Sequence, residues 1–379
     1  MKFMSLVCVA AMAFAAGACQ SQSAPGGEGP YSEGEAPFTV TEVARFDSPW
    51  AMTFLPDRSL LVTEKSGKLK WWANGAARDV AGVPAVKDDG QGGLADVVLA
   101  PDYAASNTVY LSWIEAGSGG NSGGVVGRAK LVLDGAPHLE GLNVIWRQDK
   151  VDGDGHFSQR LAFSPDGKYL FVTSGERQKF DPAQDLKLNL GKVLRLLPDG
   201  TPAPGNPFAG KGGNSDQVWS YGHRNLYGLA FDKDGRLWEH EMGPQGGDEV
   251  NLIVEGRNYG YPIVSNGDHY DGREIPDHPT RPEFEAPKLW WNPSISPSSM
   301  LIYSGSKFPQ WKGDMFITAL SGQSLIRVDL DGDKATKVDR WDMETRVREV
   351  EQGPDGDIWL LEDGSGDPGG RLLRLTPKG

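Results

Sequence analysis

The apolar positions of this chain come in short bursts, not in helical stripes. An apolar strand runs into a tight polar turn, and a second apolar strand follows. Phe54-Leu-Pro-Asp-Arg-Ser-Leu-Leu-Val-Thr63 is one such phrase. Leu99-Ala-Pro-Asp-Tyr103 leads into Val109-Tyr-Leu-Ser-Trp113, and Phe163-Ser-Pro-Asp-Gly167 leads into Tyr169-Leu-Phe-Val-Thr173. Phe231-Asp-Lys-Asp-Gly235, Phe308-Pro-Gln-Trp-Lys-Gly313 and Gln352-Gly-Pro-Asp-Gly356 each lead into a further apolar strand. Pro presets φ for the turn, Asp and Gly supply the reversal, and the flanks are rich in β-branched and aromatic residues. The copies start roughly 45 to 80 residues apart, the scale of a propeller blade plus inserted loops. The pattern predicts an all-β, six-bladed β-propeller over residues 38–379. A pair of β-sandwich domains is the alternative topology. Long insertions are expected at about 116–125, 175–220 and 243–300, gathered on one face as site-forming loops.

The N-terminus reads differently. Lys2 is followed by an apolar run from Phe3 to Ala16 and then Gly17-Ala18-Cys19. A positive start, a short apolar stretch and small residues before a cut site predict a signal peptide over residues 1–18. The run is too short to span a bilayer as a mature helix. Small residues directly before a cysteine also fit a lipoprotein signal, in which Cys19 carries the lipid. Ala16-Gly17-Ala18 could equally serve an ordinary signal peptidase. The chain has 2 cysteines, Cys8 and Cys19, so the mature body has no disulfide and relies on its core or on bound metal. Residues 19–37 are almost devoid of apolar side chains and read as a flexible tether. The expected location is therefore outside the cytoplasm: periplasmic, or anchored to the outer membrane through Cys19 alone. A formal net charge of −13 makes nucleic acid and anionic membrane surfaces poor partners.

Four loop segments carry more polar and glycine residues than turns require. They are Asp89-Gly-Gln91-Gly-Gly-Leu94, then Asp154-Gly-His156-Phe-Ser-Gln-Arg160, then a long third group, then Thr345-Arg346-Val-Arg348-Glu349. The third group joins Gly222-His223-Arg224-Asn225 to Glu241-Met-Gly243-Pro244-Gln-Gly-Gly-Asp-Glu249 and Asn258-Tyr259-Gly-Tyr-Pro262. Read alone, each has a plain structural explanation. Arg346 and Arg348 fit a solvated strand edge, Asp248-Glu249 a surface acidic pair, and His156 an ordinary polar contact beside Asp154.

In order and across the chain, however, this series resembles the soluble pyrroloquinoline quinone (PQQ) aldose sugar dehydrogenases. The resemblance implies a six-bladed propeller whose loops hold PQQ and calcium, an aldose substrate and an external electron acceptor. It implies His156 as general base, with Gln91 orienting the base and the sugar hydroxyl. Imidazole suits that task near neutral pH. Arg224 and Asn225 are then placed against the quinone oxygens, where a cation stabilises the charge that develops as hydride arrives. Arg346 and Arg348 alternate along an extended segment, point to one side, and would clamp the cofactor's carboxylates. The carbonyls of Gly243 and Pro244 would hold a calcium ion, and Glu249 with the carbonyl of Tyr259 a second one, hard oxygen donors being what calcium takes. His223 is expected to support Arg224. The chain departs from the family pattern at Gly155, Tyr227 and Met242, and it has no lysine around 321–323. These departures bear on cofactor affinity and sugar preference. A non-catalytic sugar- or protein-binding propeller and a calcium-dependent lactone hydrolase are the competing readings.

Overall fold

The computed structural model describes residues 31–379 except 33, 365, 367 and 368. The signal segment and Cys19 lie outside the described residues. Six four-stranded antiparallel sheets are arranged as blades, with inner strands Pro49–Phe54, Leu94–Leu99, Ser158–Phe163, Leu226–Phe231, Pro297–Ile302 and Val347–Gln352. The sixth blade is closed by the first strand, Phe38–Phe46, which pairs with the last, Gly370–Pro377, so that Phe38 faces Pro377 and Phe46 faces Gly370. The N-terminal and C-terminal segments thus complete one sheet, which seals the ring. Among the described residues the single α-helix is the short Tyr103–Ser106, and no helix is long and apolar enough to cross a membrane.

Each repeated sequence phrase is the connection between the inner strand and the second strand of a blade. All six therefore lie on one face. Because the blades are antiparallel, the starts of the inner strands and the second-to-third connections lie on the other face. That second face carries Gln91, His156, Arg224, Asn225, Arg346, Arg348 and Gly243. The expected insertions divide accordingly. Residues 116–121 form only the turn of a long hairpin, Thr108–Ala116 against Ser122–Val132. Of the 175–220 insertion, 175–191 belongs to the site face, whereas 197–217 joins the third and fourth strands at the opposite face. The excursion 254–288 starts from that opposite face and climbs back, and Gly267–Asp268 pairs with Gln245–Gly246 beside the site.

The core sits in the seams between blades. Each seam has its own apolar cluster: Leu61, Leu111 and Trp113 between the first and second blades, Val126, Val172 and Leu194 between the second and third. The series continues around the ring, through Trp238 with Ile317 and Tyr303 with Leu360, to Val62 with Leu361 across the closing seam. These side chains are essentially inaccessible, so truncating one to alanine costs about 2–5 kcal/mol. Ahead of the first strand, within the stretch read as tether, the Ser32 N–H already donates to Val338 O (2.8 Å) and Trp291 Nε1 to the Tyr31 hydroxyl (2.6 Å).

On the axis the polar residue Arg160 joins all six blades. It starts from the third blade and donates through Nε to Tyr227 O (2.8 Å) on the fourth and through Nη2 to Ser298 O (2.7 Å) on the fifth. Its guanidinium pairs with Glu349 of the sixth blade (2.6 Å) and stands 3.6 Å from Asp96 of the second. It lies 4.2 Å from the Trp50 ring centroid of the first. Burial, assisted by the neighbouring Asp96, pushes the Glu349 carboxyl up to about 7 against the pull of Arg160.

Candidate active site

The loop entering the third inner strand is bent hard. His156, Ser158 and Gln159 all have positive φ (49°, 64° and 86°), and across the cleft so do Arg177, Gln178 and Phe180. Among the described residues, six of the thirteen non-glycine residues in this region of backbone space therefore lie in two facing loops. Strain of this kind persists where surrounding contacts over-determine it, and it concentrates at functional sites.

Those contacts converge on His156, which is 7% exposed. Its Nδ1 bonds to Glu176 Oε1, and its backbone N–H donates to Gln91 Oε1 (2.7 Å). Glu176 is fully buried and also accepts the N–H groups of Gln178 (2.9 Å) and Phe180 (2.7 Å). Burial works to raise the Glu176 carboxyl, yet its bonds to His156 and Phe180 and the nearby Arg224 hold it below the usual range. Burial pushes the His156 imidazole down, against the upward pull of Glu176. The pair at neutral pH is thus a carboxylate and a neutral imidazole. The Nδ1–H is spent on Glu176, and Nε2, with no protein partner among the described residues, is free to accept a proton. Glu176 was missed in the sequence; its only signal is its place directly after a strand at the opening of the long 175–191 loop.

Arg224 is 5% exposed. Glu241 accepts its backbone N–H and lies 3.0 Å from Nδ1 of His223, whose ring stacks on Tyr259 at 4.5 Å. His223 therefore supports Arg224 as expected. The Arg224 Nη1 donates to Met242 O (2.9 Å) and Gly243 O (2.5 Å), while its Nε is buried without a partner. His156, Glu176, Arg224 and Pro244 line one cleft of about 250 Å³, together with Phe180 and Tyr270. Phe180 and Tyr270 are 42% and 74% exposed, two large aromatic faces left open at its rim.

Not every expected residue reaches that cleft. Asn225 is fully buried, and its amide ties Ser158 Oγ (3.3 Å) to Gln91 (3.5 Å); it braces loops and does not line the cleft. Gln91 spends its carbonyl oxygen on the His156 N–H, which makes it a brace of the base. Arg346 and Arg348 do point to one side, but both meet Asp363, at 2.8 Å and 2.9 Å. That carboxylate cancels part of their charge. Lys65, which sequence reasoning also missed, adds a cation nearby. Burial and the adjacent Arg348 push its ammonium down, and it donates to Gly90 O (3.0 Å).

The residues expected to hold calcium come together. Gly243, Pro244, Glu249 and Tyr259 all line one small cavity of about 10 Å³ with Glu241, room for one body the size of a water or an ion. Oxygen donors and a carboxylate around such a space fit a hard cation. Gly243 O also accepts from Arg224, so a cation bound there would share that carbonyl with the guanidinium. A Cβ at 243 would stand 2.3 Å from the carbonyls of Gly246 and Gly247, which explains glycine at this position. Asp248 is no surface acid: fully buried, it accepts the N–H groups of Gly243, Ile295 and Ser296 and the Ser294 hydroxyl. Gly155 too has a structural reason, since a Cβ there would come within 2.8 Å of the Gln178 side chain, which fills the space an acidic residue would take.

For the cofactor, the buried Arg224 guanidinium and the open aromatic faces of Phe180 and Tyr270 in one cleft fit a flat, anionic ring system.

The glucose/sorbosone dehydrogenase family model matches residues 46–374. An aldose sugar dehydrogenase of Escherichia coli is 40% identical over 357 residues, covering 90% of this chain and 94% of that protein. The crystal structure of the apo form of the soluble aldose sugar dehydrogenase from E. coli superposes with a TM-score of 0.84 at 38% identity, over 90% of this chain and 100% of that one. The PQQ-bound aldose sugar dehydrogenase of Streptomyces coelicolor superposes at 0.73 with 29% identity, over 90% and 98%.

Proposed function

The chain belongs to the glucose/sorbosone dehydrogenase family, and from that premise we propose that it oxidises the anomeric hydroxyl of aldose sugars to the lactone, with PQQ taking the hydride and an external acceptor the electrons. The observation that carries the reading is the buried His156–Glu176 pair, with a bare Nε2 in a cleft shared with Arg224.

When bound, PQQ supplies the acceptor for hydride, and calcium polarises it. The chain's own part is proton removal and placement. Nε2 of His156 takes the hydroxyl proton as the hydride leaves the anomeric carbon. The imidazolium so formed is stabilised in place by the Glu176 carboxylate, as in other buried carboxylate–histidine pairs. Gln91 fixes the backbone from which the imidazole projects. The Arg224 guanidinium, which lines the cleft, offers a charged donor to a ligand oxygen. Arg346, Arg348 and Lys65 would meet the cofactor's carboxylates, and Phe180 and Tyr270 give flat rings a stacking surface. Export by residues 1–18, with lipid attachment at Cys19 and residence in the periplasm or at the outer membrane, belongs to the same proposal.

Reconstitution tests the reading. The protein with PQQ and calcium is expected to acquire a quinone absorption band that an aldose bleaches, and chelation is expected to abolish the bleaching until calcium is returned. A band-free protein is a binding module, and turnover of a lactone without PQQ is a hydrolase.

The arginines give a separate expectation. Arg348→Ala loses a charge-assisted contact of about 1.5–3 kcal/mol, a weakening of PQQ binding by roughly tenfold or more. Cofactor titration should show it, with little change in turnover at saturation. Unchanged affinity would assign Arg348 wholly to Asp363.

A further inference from the structure

Behind the small cavity, deeper in the fourth blade, three carboxylates meet around one amide. Asn251 Nδ2 stands 3.1 Å from Glu239 Oε2, 3.4 Å from Glu241 Oε1 and 3.2 Å from Glu249 Oε2. An amide nitrogen has two hydrogens to give, so one of the three acceptors goes without. Glu239 and Asn251 are fully buried, and Glu239 Oε1 and Asn251 Oδ1 have no hydrogen-bond partner. No lysine or arginine among the described residues forms a salt bridge with this group. Among the described residues its ion-pair partners are two histidines, His223, 3.0 Å from Glu241, and His278, 3.4 Å from Glu249. Burying carboxylates without a counter-cation is costly, and in proteins they are paired, or they coordinate metal, or they take up a proton, as burial favours for Glu239.

The ligand atoms are arranged for the second solution. One nitrogen of His223 and one oxygen each of Glu239 and Glu241 lie within 4.8 Å of one another, all three side chains buried. Ligands on an ion with bonds of about 2.1 Å stand ~3–4 Å apart, so a small contraction closes the shell. Ser220 Oγ holds the other His223 nitrogen at 2.8 Å and fixes the ring.

We propose that His223, Glu239 and Glu241 form a buried site for a divalent transition ion of the manganese or zinc kind, with the Asn251 amide turned over so that Oδ1 is a further oxygen donor. It is separate from the calcium position expected at Glu249 and Tyr259, and Asn251 stands between the two. The donor set decides the class. Calcium takes six to eight oxygens, whereas imidazole combined with carboxylates suits first-row transition ions. The ion replaces the missing hydrogen bonds and locks Glu241, which holds the Arg224 backbone. The site rests on the geometry of the fourth blade and stands whether or not the chain oxidises sugars.

The test uses protein refolded from chelator in saturating calcium and then given Mn²⁺ or Zn²⁺. Bound metal is read by mass spectrometry, and free Mn²⁺ by electron paramagnetic resonance. The parent is expected to keep one equivalent of transition ion despite the calcium. Glu239→Gln should lose it, and Glu249→Gln should keep it. A parent that takes up only calcium, or a Glu239→Gln protein that retains the full equivalent, overturns the proposal. X-ray absorption on the loaded parent covers the case in which Glu239→Gln fails to fold: the outer-shell scattering of an imidazole ring bound to the metal supports the site, and its absence refutes it.

Discussion

His156→Gln is expected to bind PQQ and calcium as the parent does, and to lose about 10²- to 10⁴-fold in the rate at which aldose reduces the cofactor. The glutamine still spans much of the distance and can bond to Glu176, so the strained loop keeps a partner. What it lacks is a lone pair able to take a proton at neutral pH. The retained quinone band with lost bleaching separates a missing base from a misfolded loop. The pH profile adds a second reading. The base must be neutral to work, so the parent's rate falls as the pH drops through the imidazole pKa. Burial holds that pKa below its ordinary value, so the acid limb should lie below ~6.5. His156→Gln should have no such limb. Glu176→Gln should keep one but lose rate, because the imidazolium loses its counter-charge. If His156→Gln is reduced by aldose at the parental rate, the histidine is a structural loop residue and another group takes the proton.

The largest effect on stability is expected at Arg160. Arg160→Met removes one cation from a point where six blades meet, and it leaves Glu349 and Asp96 buried without it. Breaking a buried pair by deleting one partner costs about 3–5 kcal/mol. The loss should depend on pH in a defined sense. At acid pH the abandoned carboxyls take up protons and no longer need a cation, so the variant should approach the parent. As the pH rises through about 7, where burial already holds the Glu349 carboxyl, the deficit should open. Denaturant midpoints of parent and variant at pH 5 and pH 8 measure it. An equal deficit at both would reduce Arg160 to a packing residue with no electrostatic part in closing the ring.

The two residues differ in how far the sequence announced them. His156 sits in a glycine-flanked loop with a motif around it, and short-range pattern was enough to single it out. Arg160 lies four residues further on and looked like the tail of the same motif. Its importance arises from partners 64 and 189 positions away, Asp96 and Glu349, which only ring closure brings together. Glu176 and Asp363 were missed for the same reason, since each gains its role from a partner in another loop. The blades themselves were readable because each is a local event: strand, turn, strand, with Pro-Asp or Asp-Gly at the reversal. Which face a loop serves is not local. It depends on counting strands within a blade, so the 175–220 insertion, one polar stretch in sequence, divides between opposite faces. Gly243 marks a further limit, because its glycine was legible and the arginine that donates to its carbonyl was not.

The pairing of Phe38–Phe46 with Gly370–Pro377 also sets the order of events when the chain is made. The first strand to emerge is the outermost strand of the last blade, and its neighbour is the final strand of the chain. Contacts of such long sequence separation form late, because their loop entropy must be met before they return any stability. Until the last residues appear, the ring lacks its closing seam and its first strand hangs unpaired. Were the chain exported through residues 1–18 as proposed, the step that completes the ring would come only after its last strand had crossed.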